Sequence, residues 1–159
     1  MLIQADARHI PLHDGSVQMV CTSPPYWGLR DYGLGERGIG LEATPSAYVE
    51  QIVIAFKEVR RVLREDGTVG LNLGDTWQAA KGQAHGVDPK QPARRHLRRA
   101  RPNDNRIPGL KQKDLVGIHW RVALALQADG WVLRQEIIWS KGNAMPGIGE
   151  TDLKAGTVA

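Results

Sequence analysis

Two consecutive prolines, Pro24 and Pro25, follow closely on a short apolar run, Val17 to Cys21. The run reads as a buried strand. Neither proline has an N–H to donate, so no sheet ladder continues through them, and both hold φ fixed. The backbone must therefore leave the strand's carboxyl end in a stiff, extended conformation. Open α/β sheets bind ligands at that end of their strands. Here Ser23-Pro24-Pro25-Tyr26 offers a hydroxyl, proline carbonyls and an aromatic ring. Those groups suit a planar heterocycle with an amino group. Ser23 Oγ and the Pro24 carbonyl accept from the exocyclic NH2, and Tyr26 stacks on the ring. Ser-Pro-Pro alone favours the plainer reading, a proline-terminated strand followed by a surface aromatic. The added Tyr26-Trp27, the strand context and the downstream pattern favour the heterocycle.

Downstream, Thr44-Pro45 predicts a helix start, with threonine as N-cap and proline in the first turn. Apolar residues recur at Tyr48/Val49, Ile52/Val53, Phe56, Val59 and Val62/Leu63, one face of an amphipathic helix. Asp66-Gly67 is expected to end it, and Thr68 to Leu73 reads as a buried strand. Strand, helix and strand together imply a parallel crossover, which puts Gly74-Asp75 on the same rim as Ser23. Between motif and helix, Gly28, Gly33, Gly35, Gly38 and Gly40 predict a mobile loop suited to a lid. A second helix is expected from about Lys113 to Gly130, with Leu115, Ile118, Val122, Ala125 and Leu126 on one face. Trp131 to Trp139 reads as the last strand, and Leu2 to Gln4 as a first one.

These residues resemble the amino-methylating DNA methyltransferases, of the N4-cytosine and N6-adenine types. Their catalytic motif is (Ser/Asp/Asn)-Pro-Pro-(Tyr/Phe), here Ser23-Pro24-Pro25-Tyr26. The likeness continues through Trp27 to Tyr32, the unit ending Leu71-Asn72-Leu73-Gly74-Asp75, and Trp131 to Lys141, over roughly residues 2–146. Lys141-Gly142-Asn143-Ala144-Met145-Pro146 is similar to a strand-end signature, usually Lys-x-Asn-Pro-x-Pro, from which Ala144 departs.

The resemblance implies an α/β, partial Rossmann-like S-adenosylmethionine-dependent methyltransferase fold, a mostly parallel sheet with flanking helices. It implies methyl transfer from S-adenosylmethionine to the exocyclic amine of a base flipped out of double-stranded DNA, cytosine N4 favoured and adenine N6 open. Ser23, Pro24, Pro25 and Tyr26 would be catalytic, and Asp6, Thr22 and Ser23 would contact the cofactor. Asp6 has an equal reading as a turn cap before Pro11. Cys21 is not expected to be a nucleophile, because the Pro-Cys dipeptide of the carbon-5 cytosine enzymes is absent, and within its strand it reads as a small core residue. Of the five tryptophans, Trp120 and Trp131 are explained at least as well by core packing as by stacking on a base. A methyltransferase acting on RNA or on a protein amide is disfavoured by Ser23 and by the motif's N-terminal position.

The family's glycine-rich cofactor motif matches nothing here; in the permuted subclass that starts with the catalytic half it lies near the C-terminus. The expectation is a catalytic half, residues 1–146, with an unstructured tail over 147–159. Such a chain would be inactive alone, a non-catalytic DNA-binding remnant, or one half of a split enzyme whose second chain supplies the rest.

Charge bears on the partner. Residues 90–113 carry nine Lys/Arg against a single acid, Asp104, in a chain whose net charge is only +4. This block lies in a basic loop or insertion over about 82–112. Arg94, Arg95, Arg98, Arg99 and Arg101 are the expected phosphate contacts, with a solvated loop as the plainer alternative. One cysteine excludes an internal disulfide and a multi-cysteine metal site, and His9 and His13 lack ligand spacing and read as surface residues. No apolar run approaches the ~20 residues of a membrane span, so the expected address is cytoplasmic. As a DNA methyltransferase, the chain would belong to DNA methylation and restriction-modification.

Overall fold

The computed structural model describes residues 2–78 and 106–140 and the backbone of 156–158. Strand β1 (Val17–Thr22) is followed by a single 3-10 turn (Gly35–Arg37), helix α1 (Pro45–Val62) and strand β2 (Leu63–Asn72). Helix α2 (Ile118–Ala128) and the short strands β3 (Glu136–Ile138) and β4 (Gly156–Val158) complete the order. The sheet runs β1-β2-β4-β3. β1 and β2 are parallel, with Val20 opposite Val69 and Thr22 opposite Leu71. β4 is antiparallel to both β2 and β3, so three strands point one way and one points back. This is the expected α/β architecture. The strand at 156–158 corrects the expectation that the whole of 147–159 is unstructured.

Helix α1 begins as its sequence requires. Thr44 is extended and its side chain accepts from Ala47 N at 3.2 Å, ahead of Pro45 in the first turn. Tyr48, Ile52, Phe56 and Val59 form its buried stripe, which meets Val122 and Leu126 of α2 and Leu71 and Leu73 beneath. The helix ends at Val62, earlier than Asp66-Gly67 suggests. Leu63 already pairs with Val17, and the next pairing joins Met19 to Thr68. Residues 64–67 therefore bulge opposite the lone Gln18. Gly67 sits inside that bulge, where a Cβ would lie 2.5 Å from Leu63 Cγ.

Helix α2 starts at Ile118, five residues later than expected. Gly117 precedes it at φ +73° and Lys113 stands at φ +72°, and between them Leu115 bridges Trp77 in the antiparallel sense. The last strand shrinks to three exposed residues, Glu136–Ile138. Trp131 packs edge-on against Phe56, with ring centroids 6.0 Å apart. Trp120 is half-exposed beside His119, which disfavours core packing as its explanation.

Leu2 to Gln4 forms no strand. β1 is the edge of the sheet among the described residues, so nothing stands beside it to receive these residues. Instead Arg61 gathers the N-terminal segment onto α1. Its guanidinium donates to Ile10 O at 2.8 Å and Leu12 O at 3.0 Å, and pairs with Glu58 and Asp14. Val20 faces the helices while Met19 points away and is 60% exposed. Cys21 shares that uncovered face and is exposed, not a core residue. A parallel sheet is ordinarily covered on both faces, which is why a continuous apolar run predicts burial.

Candidate active site

The parallel register carries Ser23 and Asn72-Leu73-Gly74 to one rim of the sheet. Ser23 is exposed and its hydroxyl donates to Tyr26 Oη at a long 3.3 Å. The Tyr26 ring lies against the backbone of Gly74: a Cβ there would fall 2.7 and 2.8 Å from Cδ2 and Cε2 of the ring. Behind the prolines, Gly40 adopts φ +112°, and a Cβ on it would sit 3.1 Å from Pro25 Cβ. Two glycines thus give the motif its close neighbours on both sides.

The two proline carbonyls differ. Tyr48, fully buried near the start of α1, donates its hydroxyl to Pro25 O at 2.9 Å. Burial, and then the charges of Glu42 and Tyr26, push the Tyr48 phenol well above its ordinary pKa, so it remains a donor. Among the described residues no donor reaches Pro24 O. The free main-chain acceptor therefore stands next to Ser23.

The glycine-rich loop after the motif is closed at its base. Gly28 N donates to Gly40 O at 2.7 Å, and the buried Trp27 donates Nε1 to Glu42 O at 2.9 Å. A crevice of about 200 Å³ lies between Pro25 and this loop, lined by Arg30, Asp31 and Tyr32 among others.

Asp75, next on the rim, is committed to structure. Its carboxylate accepts from Gly117 N and Ile118 N, both at 3.0 Å, and from Thr76 N at 2.9 Å. It caps α2 from 43 residues away and complements that helix's N-terminal dipole. Three residues on, buried Gln78 exchanges backbone bonds with Lys113 and Asp114, and its side chain accepts from Ile107 N at 2.7 Å. Both flanks of the basic segment are thereby fastened together just after the rim.

Asp6 stands elsewhere. Arg8 donates to Asp6 Oδ1 from Nε at 3.0 Å and to Oδ2 from Nη2 at 2.8 Å, and the Arg8 backbone N–H adds a third bond. These bonds hold the Asp6 carboxyl down at about 2. The structure does not join it to Thr22 or Ser23. The basic residues Arg94, Arg95, Arg98, Arg99 and Arg101, and the 141–146 signature, lie outside the described residues.

What the geometry brings together is a hydroxyl, an unused carbonyl and an aromatic ring at a strand end, in the Ser-Pro-Pro-Tyr order. The sequence pattern of the DNA methylase family matches residues 17–155. This chain belongs to the DNA methylase family.

The chain is 50% identical over 149 residues to the type II methyltransferase M.XycI of Xanthomonas campestris pv. cyanopsidis, covering 91% of this chain and 47% of that protein. It is 47% identical over 147 residues to M.Cfr9I of Citrobacter freundii, with the same coverage. The chain thus spans about half the length of the curated relatives it matches. Its fold is similar to that of a Thermus thermophilus protein crystallised with S-adenosyl-L-methionine, at TM-score 0.58 and 21% identity, over 96% of this chain and 49% of that one.

Sequence reasoning missed Tyr48 as a neighbour of the Ser-Pro-Pro-Tyr segment, reading it only as one apolar position in a helical stripe. Its signal was faint: a phenol on a fully buried stripe needs a partner for its hydroxyl. Asp75 was placed correctly on the rim, but its capping of α2 depends on a contact no local pattern announces.

Proposed function

We propose that this chain carries the base-binding and catalytic half of a DNA amino-methyltransferase, acting on cytosine N4 in preference to adenine N6. The observation that carries the reading is the pair of acceptors at the strand end, Ser23 Oγ and the Pro24 carbonyl, which no donor reaches among the described residues. An exocyclic amine is poorly nucleophilic because its lone pair is delocalised into the ring. Two acceptors that bind its hydrogens draw the nitrogen toward tetrahedral geometry and free that lone pair. Tyr26, backed by Gly74, would hold the base by stacking while it is out of the duplex. Positioning of this kind supplies a large share of the rate in such a transfer.

S-adenosylmethionine would supply an electrophilic sulfonium methyl, and that transfer needs no covalent enzyme intermediate. Its nearest residues in this chain would be Thr22 and Ser23 at the carboxyl end of β1. Asp6, whose two oxygens are both engaged by Arg8, fits the cofactor less well. The basic residues from Arg94 to Arg101 would take DNA phosphates. The support is their charge and the fastening of the segment's flanks beside the rim through Gln78.

The same reading includes a second polypeptide. The outer edge of β1 carries no strand among the described residues, and a partner that pairs along it would cover Met19 and Cys21. Among the described residues no helix is long and apolar enough to cross a membrane, and a role in cytoplasmic restriction-modification accords with this reading.

The test uses purified chain, mixed-sequence DNA and S-adenosylmethionine labelled on its methyl group, followed by digestion to nucleosides. Label in N4-methylcytosine would make the chain active without a second polypeptide and would name its base. Label in N6-methyladenine corrects the base, and absence of label is the result expected of a half that works only with its second polypeptide.

A further inference from the structure

We propose that Tyr48 is a positioning residue for the Ser-Pro-Pro-Tyr segment: by engaging the Pro25 carbonyl it leaves the Pro24 carbonyl as the segment's acceptor for substrate. The inference rests on the methyl-transfer reading for its chemical meaning, and on geometry for its physical content.

A dipeptide of two prolines offers two carbonyls and no N–H, so its own backbone cannot decide which carbonyl meets a ligand. Its orientation must be set from outside. The Tyr48 hydroxyl does this at 2.9 Å from Pro25 O. Tyr48 is 0% exposed and sits in the first turns of α1, with Ile52 and Phe56 following it in the core. The donor is therefore immobile. Gly40 also packs on Pro25, where a Cβ would stand 3.1 Å from Pro25 Cβ, and its φ of +112° favours glycine. Held between a fixed donor and a fixed backbone, the prolines have one orientation available. The same hold extends to the residues that follow, because Leu29 N returns to Tyr26 O at 3.2 Å and Gly28 N bonds Gly40 O.

Tyr48 touches neither substrate nor cofactor on this account. Its effect passes through Pro25 to Pro24 and Tyr26, and a displacement of the acceptor by an ångström is enough to cost about a hundredfold in rate.

The test compares wild-type chain with Tyr48→Phe, which keeps the ring in the core and removes only the donor. Native-state hydrogen exchange is followed at the Gly28 and Leu29 amides, with the interior of α1 as reference, together with kcat and KM for methyl transfer to DNA. The expected result is exchange at Gly28 and Leu29 accelerated ~10-fold or more, with the α1 interior unchanged. In the transfer assay, kcat falls ~10- to 100-fold and KM for DNA stays within ~3-fold. Uniformly faster exchange, unchanged exchange, or an unaltered kcat in an active wild type would each overturn the proposal. An inactive wild type removes the methyl-transfer reading for this chain, and the exchange comparison still decides whether Tyr48 holds the segment. Where Tyr48→Phe does not fold, fluorotyrosine at position 48, isosteric and a stronger donor, is expected to slow exchange at the same two amides; no change there would sink the idea.

Discussion

The ring of Tyr26 lies on the backbone of Gly74, so close that a Cβ at Gly74 would stand 2.7 Å from ring atom Cδ2. This contact joins the ends of β1 and β2, two parallel strands whose register already sets Thr22 opposite Leu71. It gives the aromatic of the motif a flat main-chain backing, and it makes the glycine part of the site.

Gly74→Ala tests this backing. The added methyl must displace the Tyr26 ring or the strand end, an overpacking that costs about 1–3 kcal/mol of stability. Thermal unfolding should show the loss, and Tyr26→Ala in the same background should recover most of it by removing the clash. Recovery that does not occur would place the strain elsewhere.

Asp75→Ala should destabilise the chain by about 1–2 kcal/mol, because it strips the cap from the α2 N-terminus and leaves the Gly117 and Ile118 N–H groups without their acceptor. Asp75→Asn keeps one acceptor oxygen and should lose less. Urea unfolding measures both, and equal losses would show that the negative charge at the helix terminus dominates over the hydrogen bonds.

The Asp6 carboxyl is held at about 2, first by the Arg8 side-chain bond and then by the Arg8 backbone N–H. Its folded pKa is depressed, so its contribution to stability is present above the ordinary carboxylate value of about 3.9 and is lost as pH falls toward 2. The pair is substantially exposed, so the contribution is small. An NMR titration of the carboxyl carbon should show the low midpoint, and Arg8→Ala should return it to the ordinary range.

Cys21 lies on the uncovered face of the sheet. A thiol reagent should modify it in the native chain at a rate within ~10-fold of that in urea. A partner that covers β1 would protect it, which makes the same reaction a probe for the proposed second polypeptide. Slow native labelling of the chain alone would show that the face is already covered.

Much of the fold can be read along the chain. Thr44-Pro45 specifies the α1 start, the stripe from Tyr48 to Val62 specifies its buried face, and the apolar run before Pro24 specifies β1. The errors cluster where a segment needs a neighbour. Among the described residues, Leu2 to Gln4 has strand-like residues and no strand beside it, and Cys21 has a core residue's context on a face that is uncovered. Asp66-Gly67 reads as a helix stop, yet pairing of Leu63 with Val17 ends the helix first.

The sequence by itself placed Ser23-Pro24-Pro25-Tyr26 at the end of a strand, inside the stretch that matches the DNA methylase family. Those signals are local, carried by the fixed φ and missing N–H of proline and by side-chain periodicity over a few residues. Only the tertiary structure decided which proline carbonyl is free, which glycine backs Tyr26, and what Asp75 binds. The contacts that settle these points span 23 residues from Pro25 to Tyr48 and 43 from Asp75 to Ile118. Such contacts depend on how α1 and α2 pack onto the sheet, and no short stretch of sequence encodes that packing.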